Sequence, residues 1–312
     1  MSSTDEAAGV LLGLACGDAL GRPVEFHSSQ QIAQKHGTVT EMLANGTHNQ
    51  PAGTITDDSE MALCIARSLD EHRAVRPDDI AERFVAWYDS GPFDIGLMTS
   101  DALQKIKHDG SWRDAGQQIW ESRPEGSNAG NGSVMRCAPY ALAFRNDWDI
   151  LSRVSRLSSA ITHADPRCTY GCAVLNLTLA GVLAGRETPL EDALIHVEAD
   201  APAELLTALR PIPDDTSLES LRASGYVIHT LQAALYHGLT ADTAEDAIVS
   251  AVNMGDDTDT VGAVTGAIAG ARFGASALPE RWLTELTCRD ELATLGSTLA
   301  TMEFAVDDDL IR

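Results

Sequence analysis

Two ladders of glycine constrain this chain more than any other feature. Gly9, Gly13, Gly17 and Gly21 recur every four residues near the N-terminus, and Gly262, Gly266 and Gly270 repeat that spacing far downstream. Residues four apart share one face of an α-helix, so each ladder reads as a bare stripe along a helix. A glycine inside a helix costs about 1 kcal/mol against alanine. Two such stripes in one chain predict an offsetting gain, and close approach of a neighbouring helix is its natural source. The first ladder has a local alternative, because Gly17 and Gly21 could simply end their helix.

The rest of the chain reads as all-α. Strand signals are nearly absent, whereas apolar periodicity near 3.6 recurs throughout. The first helix is expected over residues 5–19, with Thr4 or Asp5 as its cap. Pro23 then forces a turn. Residues 27–56 are polar and Gly-rich, a long loop with room for one short helix. Further helices are expected over 61–69, 78–88, from about 134, and over 148–162, 166–185, 189–198, 223–237 and 243–253. The second ladder helix and two more close the chain. Residues 91–96 and 128–136 read as turn-rich loops, and the Pro- and Asp-rich stretch 199–221 as irregular. No linker and no further repeat interrupts this pattern, so one domain is expected over 1–312.

A net charge of -24 argues against unspecific nucleic-acid binding, which needs a basic face. The six cysteines form no C-x-x-C and sit mostly in apolar context, which predicts reduced thiols and a cytoplasmic protein. The N-terminus lacks the basic region of a signal peptide. No apolar run reads as long enough to span a bilayer.

Four polar clusters stand at helix starts or turns: Glu25, Thr56-Asp57-Asp58, Asp94 and Asp257-x-Asp259-Thr260. Two of them mirror each other, each with two carboxylates and a hydroxyl. Each alone reads equally well as a helix cap. Brought together they supply oxygen ligands for two divalent ions that share carboxylates. There is no H-E-x-x-H and no G-x-x-x-x-G-K-[ST], which disfavours zinc hydrolysis and P-loop chemistry.

These clusters, in their order, resemble the signature of the ADP-ribosylglycohydrolase family. The matching segments are Gly-Asp-Ala-Leu-Gly-Arg-Pro-Val-Glu25, Thr56-Asp-Asp-Ser59, Gly91-Pro-Phe-Asp-Ile-Gly96, Gly130-Asn-Gly-Ser-Val-Met-Arg136, Ser159-Ala-Ile-Thr-His-Ala-Asp165 and Gly255-Asp-Asp-Thr-Asp-Thr260. The resemblance implies an all-α fold with two divalent cations, Mg²⁺ or Mn²⁺, at the mouth of an ADP-ribose cleft. It implies Thr56, Asp57, Asp58, Asp257, Asp259 and Thr260 as metal ligands, with Glu25 beside them. Asp94 matches the family's acid/base carboxylate. Asn131, Gly132 and Ser133 would meet the diphosphate and distal ribose through backbone and side-chain donors; His163 would border the ribose, and Tyr226 would line the nucleotide. Two departures stand out: Ser59 where Thr is usual, and Asp256 where Gly is usual. The 27–56 loop matches nothing in the family pattern.

The expected activity is removal of ADP-ribose from a modified protein, arginine being the favoured linkage. Another linkage (serine, nucleic acid or a small metabolite) stays open, as does a non-catalytic ADP-ribose binder. A lone His163 beside Asp165 reads as readily as a structural hydrogen-bonder. Sequence does not decide between Glu25 and Asp94 as the main proton carrier. The expected partner is an ADP-ribosylated protein or ADP-ribose, with no membrane partner, nucleic acid only as a modified substrate, and a monomeric state.

Overall fold

The two glycine ladders face each other. In the computed structural model, which describes residues 4–124 and 126–306, the first ladder lies in the helix Thr4–Gly21 and the second in Thr258–Phe273. The helices run antiparallel, with Gly9 against Gly270, Gly13 against Gly266 and Gly17 against Gly262. A Cβ placed on Gly13 would lie 2.1 Å from the carbonyl oxygen of Gly266, and one placed on Gly266 only 1.9 Å from that of Gly13. No side chain fits there, so the spacing follows from backbone meeting backbone. The first helix does not end at Gly17; the whole ladder to Gly21 is helical.

Both helices are central. Every residue from Ala7 to Gly21 is buried, as is every residue from Thr258 to Ala271. A helix apolar on all sides belongs inside a protein or a membrane. By length and composition Thr4–Val24 is long and apolar enough to cross a membrane, contrary to the sequence expectation, but its apolar 18-residue window is buried inside the protein. Val227–Thr240 and Ala244–Val252 pack on the second ladder helix, and Arg289–Leu299 packs on the first. No strand occurs among the described residues, only isolated bridges.

Three local readings need correction. The stretch 199–221 contains the helix Ala203–Leu209, whose Leu205, Leu206 and Leu209 are buried; those leucines outweigh the flanking prolines. The helix expected from 134 is a 3₁₀ turn, Val134–Arg136, followed by Pro139–Phe144, because Pro139 suits a new first turn better than a helix interior. The helix expected from 223 starts at Val227. Residues just before it are extended and pair with the 129–131 loop, through Asn131 N–H to Gly225 O at 3.1 Å and Val227 N–H to Ala129 O at 3.0 Å.

The long loop is also more ordered than its composition suggests. It holds the helix Ser29–His36, started by a Ser28/Gln31 capping box. Its remainder wraps around the buried Arg22. That guanidinium donates to the carbonyls of Leu43, Asn45, Pro51 and Thr54 at 2.9–3.1 Å.

Candidate active site

The antiparallel ladders bring the end of one helix to the start of the other. Thr258 Oγ1 donates to Gly21 O at 2.8 Å and locks that junction. Glu25 leaves on one side through the 3₁₀ turn Arg22–Val24, and Asp257 and Asp259 open the second helix on the other. A third helix, Asp57–His72, begins at the same place. Asp18 anchors it from inside the first ladder helix. Its carboxylate accepts from Thr56 N–H at 3.0 Å, Thr56 Oγ1 at 2.9 Å, Ser59 N–H at 3.2 Å and the Ser59 hydroxyl at 2.5 Å. Ser59 thus keeps the hydroxyl bond open to the usual threonine. Asp256 has φ 61°, a left-handed conformation that explains why glycine is usual there and why Asp is tolerated.

The two mirrored clusters, 200 positions apart in sequence, meet. Asp58 Oδ2 accepts from Thr56 Oγ1 at 3.1 Å and from Thr260 Oγ1 at 3.4 Å. Glu25, Asp257 and Asp259 each offer an oxygen within 4.8 Å of the others'. Asp57 Oδ2 accepts from Gly96 N–H at 3.3 Å, which ties the cluster to the 91–96 loop carrying Asp94. Glu25, His48 and Asp94 form a second group with ligand atoms within 4.8 Å. His48 Nε2 lies 2.5 Å from Glu25 Oε2 and 3.8 Å from Asp94 Oδ2.

Like charges crowd this site. Burial first, then neighbouring carboxylates, raise Asp57, Asp58 and Asp259 well above the usual carboxylate range. Burial, then Asp94 and Asp257, push Glu25 up to about 9. Asp257 is raised by burial, against hydrogen bonds that favour its charged form. Asp94 is raised by burial, with His48 opposing. Among the described residues, only His48 makes an ion pair with any of these six carboxylates, and no Lys or Arg does. Asp58 Oδ1 is buried without a hydrogen-bond partner. Buried carboxylates with an orphaned oxygen and adjacent hydroxyls are a donor set that suits a hard divalent cation.

The carboxylates floor a cleft of 820 Å³ lined also by Gly132, Asn131, His163 and Tyr226. That volume suits a ligand of nucleotide size. Asn131 Nδ2 donates to Asp257 Oδ2 at 2.6 Å and to Thr230 Oγ1 at 2.9 Å, so its side chain joins the loop to the acidic floor. Gly132 packs against the His163 ring, and a Cβ there would lie 2.8 Å from Cε1. His163 is buried and bonded through Nδ1 to Thr162 Oγ1 at 2.7 Å. Burial, then Arg136, lower its pKa to about 3, so it stays neutral. Tyr226 caps the start of Val227–Thr240 and its hydroxyl donates to Glu204 at 2.7 Å. Ser133 is the exception. It is buried, and its hydroxyl faces inward, accepting from Ser159 Oγ at 2.9 Å and Cys172 Sγ at 3.4 Å. Ser133 is not among the residues that line the cleft. Thr56 and Asp58 lie below the cleft floor, both buried.

The family model described as ADP-ribosylglycohydrolase matches residues 1–308. The chain belongs to the ADP-ribosylglycohydrolase family. It is 33% identical to the ADP-ribosyl-[dinitrogen reductase] glycohydrolase of Rhodospirillum rubrum, over 92% of each chain. It is also 33% identical to the ADP-ribosylarginine hydrolase Tri1 of Serratia proteamaculans, covering 96% of this chain and 80% of that protein. A solved structure titled an ADP-ribosylglycohydrolase-related protein complex matches with a TM-score of 0.81 and 33% identity, over 96% of this chain and 99% of the other. These likenesses agree with the all-α architecture described above.

Sequence reasoning missed two site-building residues. Asp18 carried a signal, the one acid beyond the first turn of an otherwise apolar ladder helix. His48 carried none, since it lies in the 27–56 loop outside the matching motifs and reaches Glu25 only through the fold of that loop.

Proposed function

We propose that this protein is a divalent-cation-dependent hydrolase that removes ADP-ribose from modified arginine. The carrying observation is the meeting of the Asp57/Asp58 and Asp257/Asp259 pairs with no Lys or Arg ion pair to them among the described residues. In this reading Thr56, Asp57, Asp58, Asp257, Asp259 and Thr260 hold two ions, Mg²⁺ or Mn²⁺. When bound, such ions supply the positive potential that a protein of net charge -24 lacks for a diphosphate, and they lower the pKa of a coordinated water.

The chain's own residues do the rest. Cleavage of the glycosidic bond builds positive charge at the anomeric carbon, which nearby carboxylates favour. Asp94, half-buried at the cleft edge, moves a proton at the leaving nitrogen. Glu25 lies beside it, bridged by His48. Gly132 and the backbone of the 130–133 loop offer close approach for the diphosphate, and Tyr226 lines the nucleotide end. Arginine is favoured by the activity for which the Serratia relative, 33% identical, is named. The six free thiols, five of them buried, support a reducing, cytoplasmic setting. The enzyme is taken as a monomer.

The test is incubation with ADP-ribosyl-arginine and ADP-ribosyl-serine peptides, with Mg²⁺ or with EDTA, reading free ADP-ribose. Release from arginine in Mg²⁺ alone is expected. Release from serine only would move the linkage, release in EDTA would remove the cation, and no release from either would leave a binding protein.

A further inference from the structure

Five large apolar side chains are exposed among the described residues: Phe26, Phe93, Leu97, Ile195 and Leu218. Single exposed apolar residues are ordinary, but a cluster of them is not. Phe26 and Leu97 line the cleft beside Glu25 and Asp94. Phe93 adjoins Asp94 in sequence and packs on the His48 ring, with centroids 5.4 Å apart. Phe26 approaches the same ring from 6.4 Å. So the His48 ring lies near both phenylalanines while its Nε2 faces Glu25 and Asp94.

The backbone at Phe26 is a second, independent observation. Its φ is 63°, a left-handed conformation that is rare for a bulky side chain. Paired hydrogen bonds hold it there, Phe26 N–H to Asp256 O and Asp256 N–H to His27 O, both at 2.7 Å. Yet the ring gains little burial in return, being 70% exposed. Strain kept without a packing gain marks a position set by function.

Chemistry narrows the ligand. Glu25 and Asp94 disfavour a phosphate at this end of the cleft. Aromatic rings beside carboxylates suit a planar cation, which gains from the ring quadrupole and from the negative charge together. We infer that Phe26 and Phe93, beside Glu25 and Asp94, form the subsite for the guanidinium group from which ADP-ribose is cleaved. The inference rests on the arginine reading above and assigns specificity to these two rings. Both act by contact with the leaving group rather than with ADP-ribose.

A cation over an exposed ring contributes a factor of about 2–5 in affinity. Two readouts test the subsite. Methylguanidine is titrated by NMR into protein saturated with ADP-ribose and Mg²⁺, and KM is measured on an ADP-ribosyl-arginine peptide. Phe26→Ala and Phe93→Ala should each weaken both by about 2–5-fold, and the double variant by about 10-fold. Phe26→Leu should behave like Phe26→Ala, because it keeps apolar area but loses the π face. Affinity for free ADP-ribose and the urea midpoint should stay at wild-type values. Unchanged methylguanidine affinity in the double variant overturns the subsite, and so does an equal loss of ADP-ribose affinity. A wild type that binds no methylguanidine overturns it whatever its activity. A wild type that binds methylguanidine through the two rings but does not cleave the arginine peptide keeps the subsite and removes the arginine linkage.

Discussion

Along the ladder interface, Gly13 and Gly266 meet backbone to backbone, with no charge nearby and nothing to spare for a methyl group. At the end of the same two helices, Glu25, Asp257 and Asp259 gather oxygens within 4.8 Å of one another. The first region is what folding favours: buried, apolar and close-packed. The second is what folding resists: buried like charges with no Lys or Arg partner among the described residues. The contrast suggests a division of labour. The rigid glycine interface fixes the helix ends so firmly that acidic groups stay together where a looser scaffold would let them part.

If that is right, the two regions should answer substitution in opposite ways. The largest effect is expected in the interface. Gly266→Ala places a Cβ against the Gly13 carbonyl and should lose about 3 kcal/mol or more, read from urea midpoints. Gly37→Ala is the control; its φ of 72° resists a side chain but nothing lies within 4 Å, so about 1 kcal/mol is expected. Equal losses at both positions would dissolve the comparison.

Next comes the cleft, where chemistry rather than stability should suffer. Asp94→Asn should lower kcat by about 10²-fold or more while leaving ADP-ribose affinity within about threefold. A wild-type kcat would shift the proton role to Glu25, and Glu25→Gln then becomes the decisive variant.

A smaller effect should appear in the pH dependence of stability without cations. Glu25 rises from an ordinary value of 4.5 to about 9 in the folded protein. Below 4.5 both states hold the proton. Above it the unfolded chain releases its proton while the folded chain keeps it, so stability falls until the folded group also ionises near 9. Asp57, Asp58 and Asp259 shift in the same direction. In EDTA, unfolding free energy should therefore drop from pH 5 to pH 8 by at least about 1.4 kcal/mol, one pKa unit's worth. Saturating Mn²⁺ should flatten that slope. A rise in stability with pH in EDTA would show that the carboxylates are solvated.

The smallest effect is expected from Ser133→Ala. Its hydroxyl bonds to Ser159 and Cys172, so about 1 kcal/mol of stability should go with no change in KM. A changed KM would return that hydroxyl to the ligand.

Much of this was legible in the sequence for physical reasons. The ladders were readable because glycine at fixed helical spacing has few other uses, but evenly spaced glycines fit either direction, so their antiparallel pairing with each other comes from the structure. The acidic pairs were readable because two carboxylates and a hydroxyl form a compact local pattern. Features made by chain meeting chain were harder. His48 reaches Glu25 only once Arg22 has gathered the loop around it. Ser133 belongs to the matching motif, yet its inward turn is set by partners at 159 and 172. The helix Ala203–Leu209 was hidden by prolines on either side.

The central claim is that the acidic floor serves a cation and not merely three helix ends. Calorimetry of ADP-ribose tests it most directly, with wild type and the Asp257→Ala/Asp259→Ala double variant, each in Mg²⁺ and in EDTA. Removing two negative charges from a protein of net charge -24 ought, on bulk charge alone, to help an anion bind. But distant surface charges are screened beyond roughly 8–10 Å at physiological salt, and a local cation is not. The account therefore predicts weaker binding by the variant in Mg²⁺, and wild type in EDTA resembling the variant in either buffer. Equal or tighter binding by the variant in Mg²⁺ would contradict it and reduce Asp257 and Asp259 to helix caps.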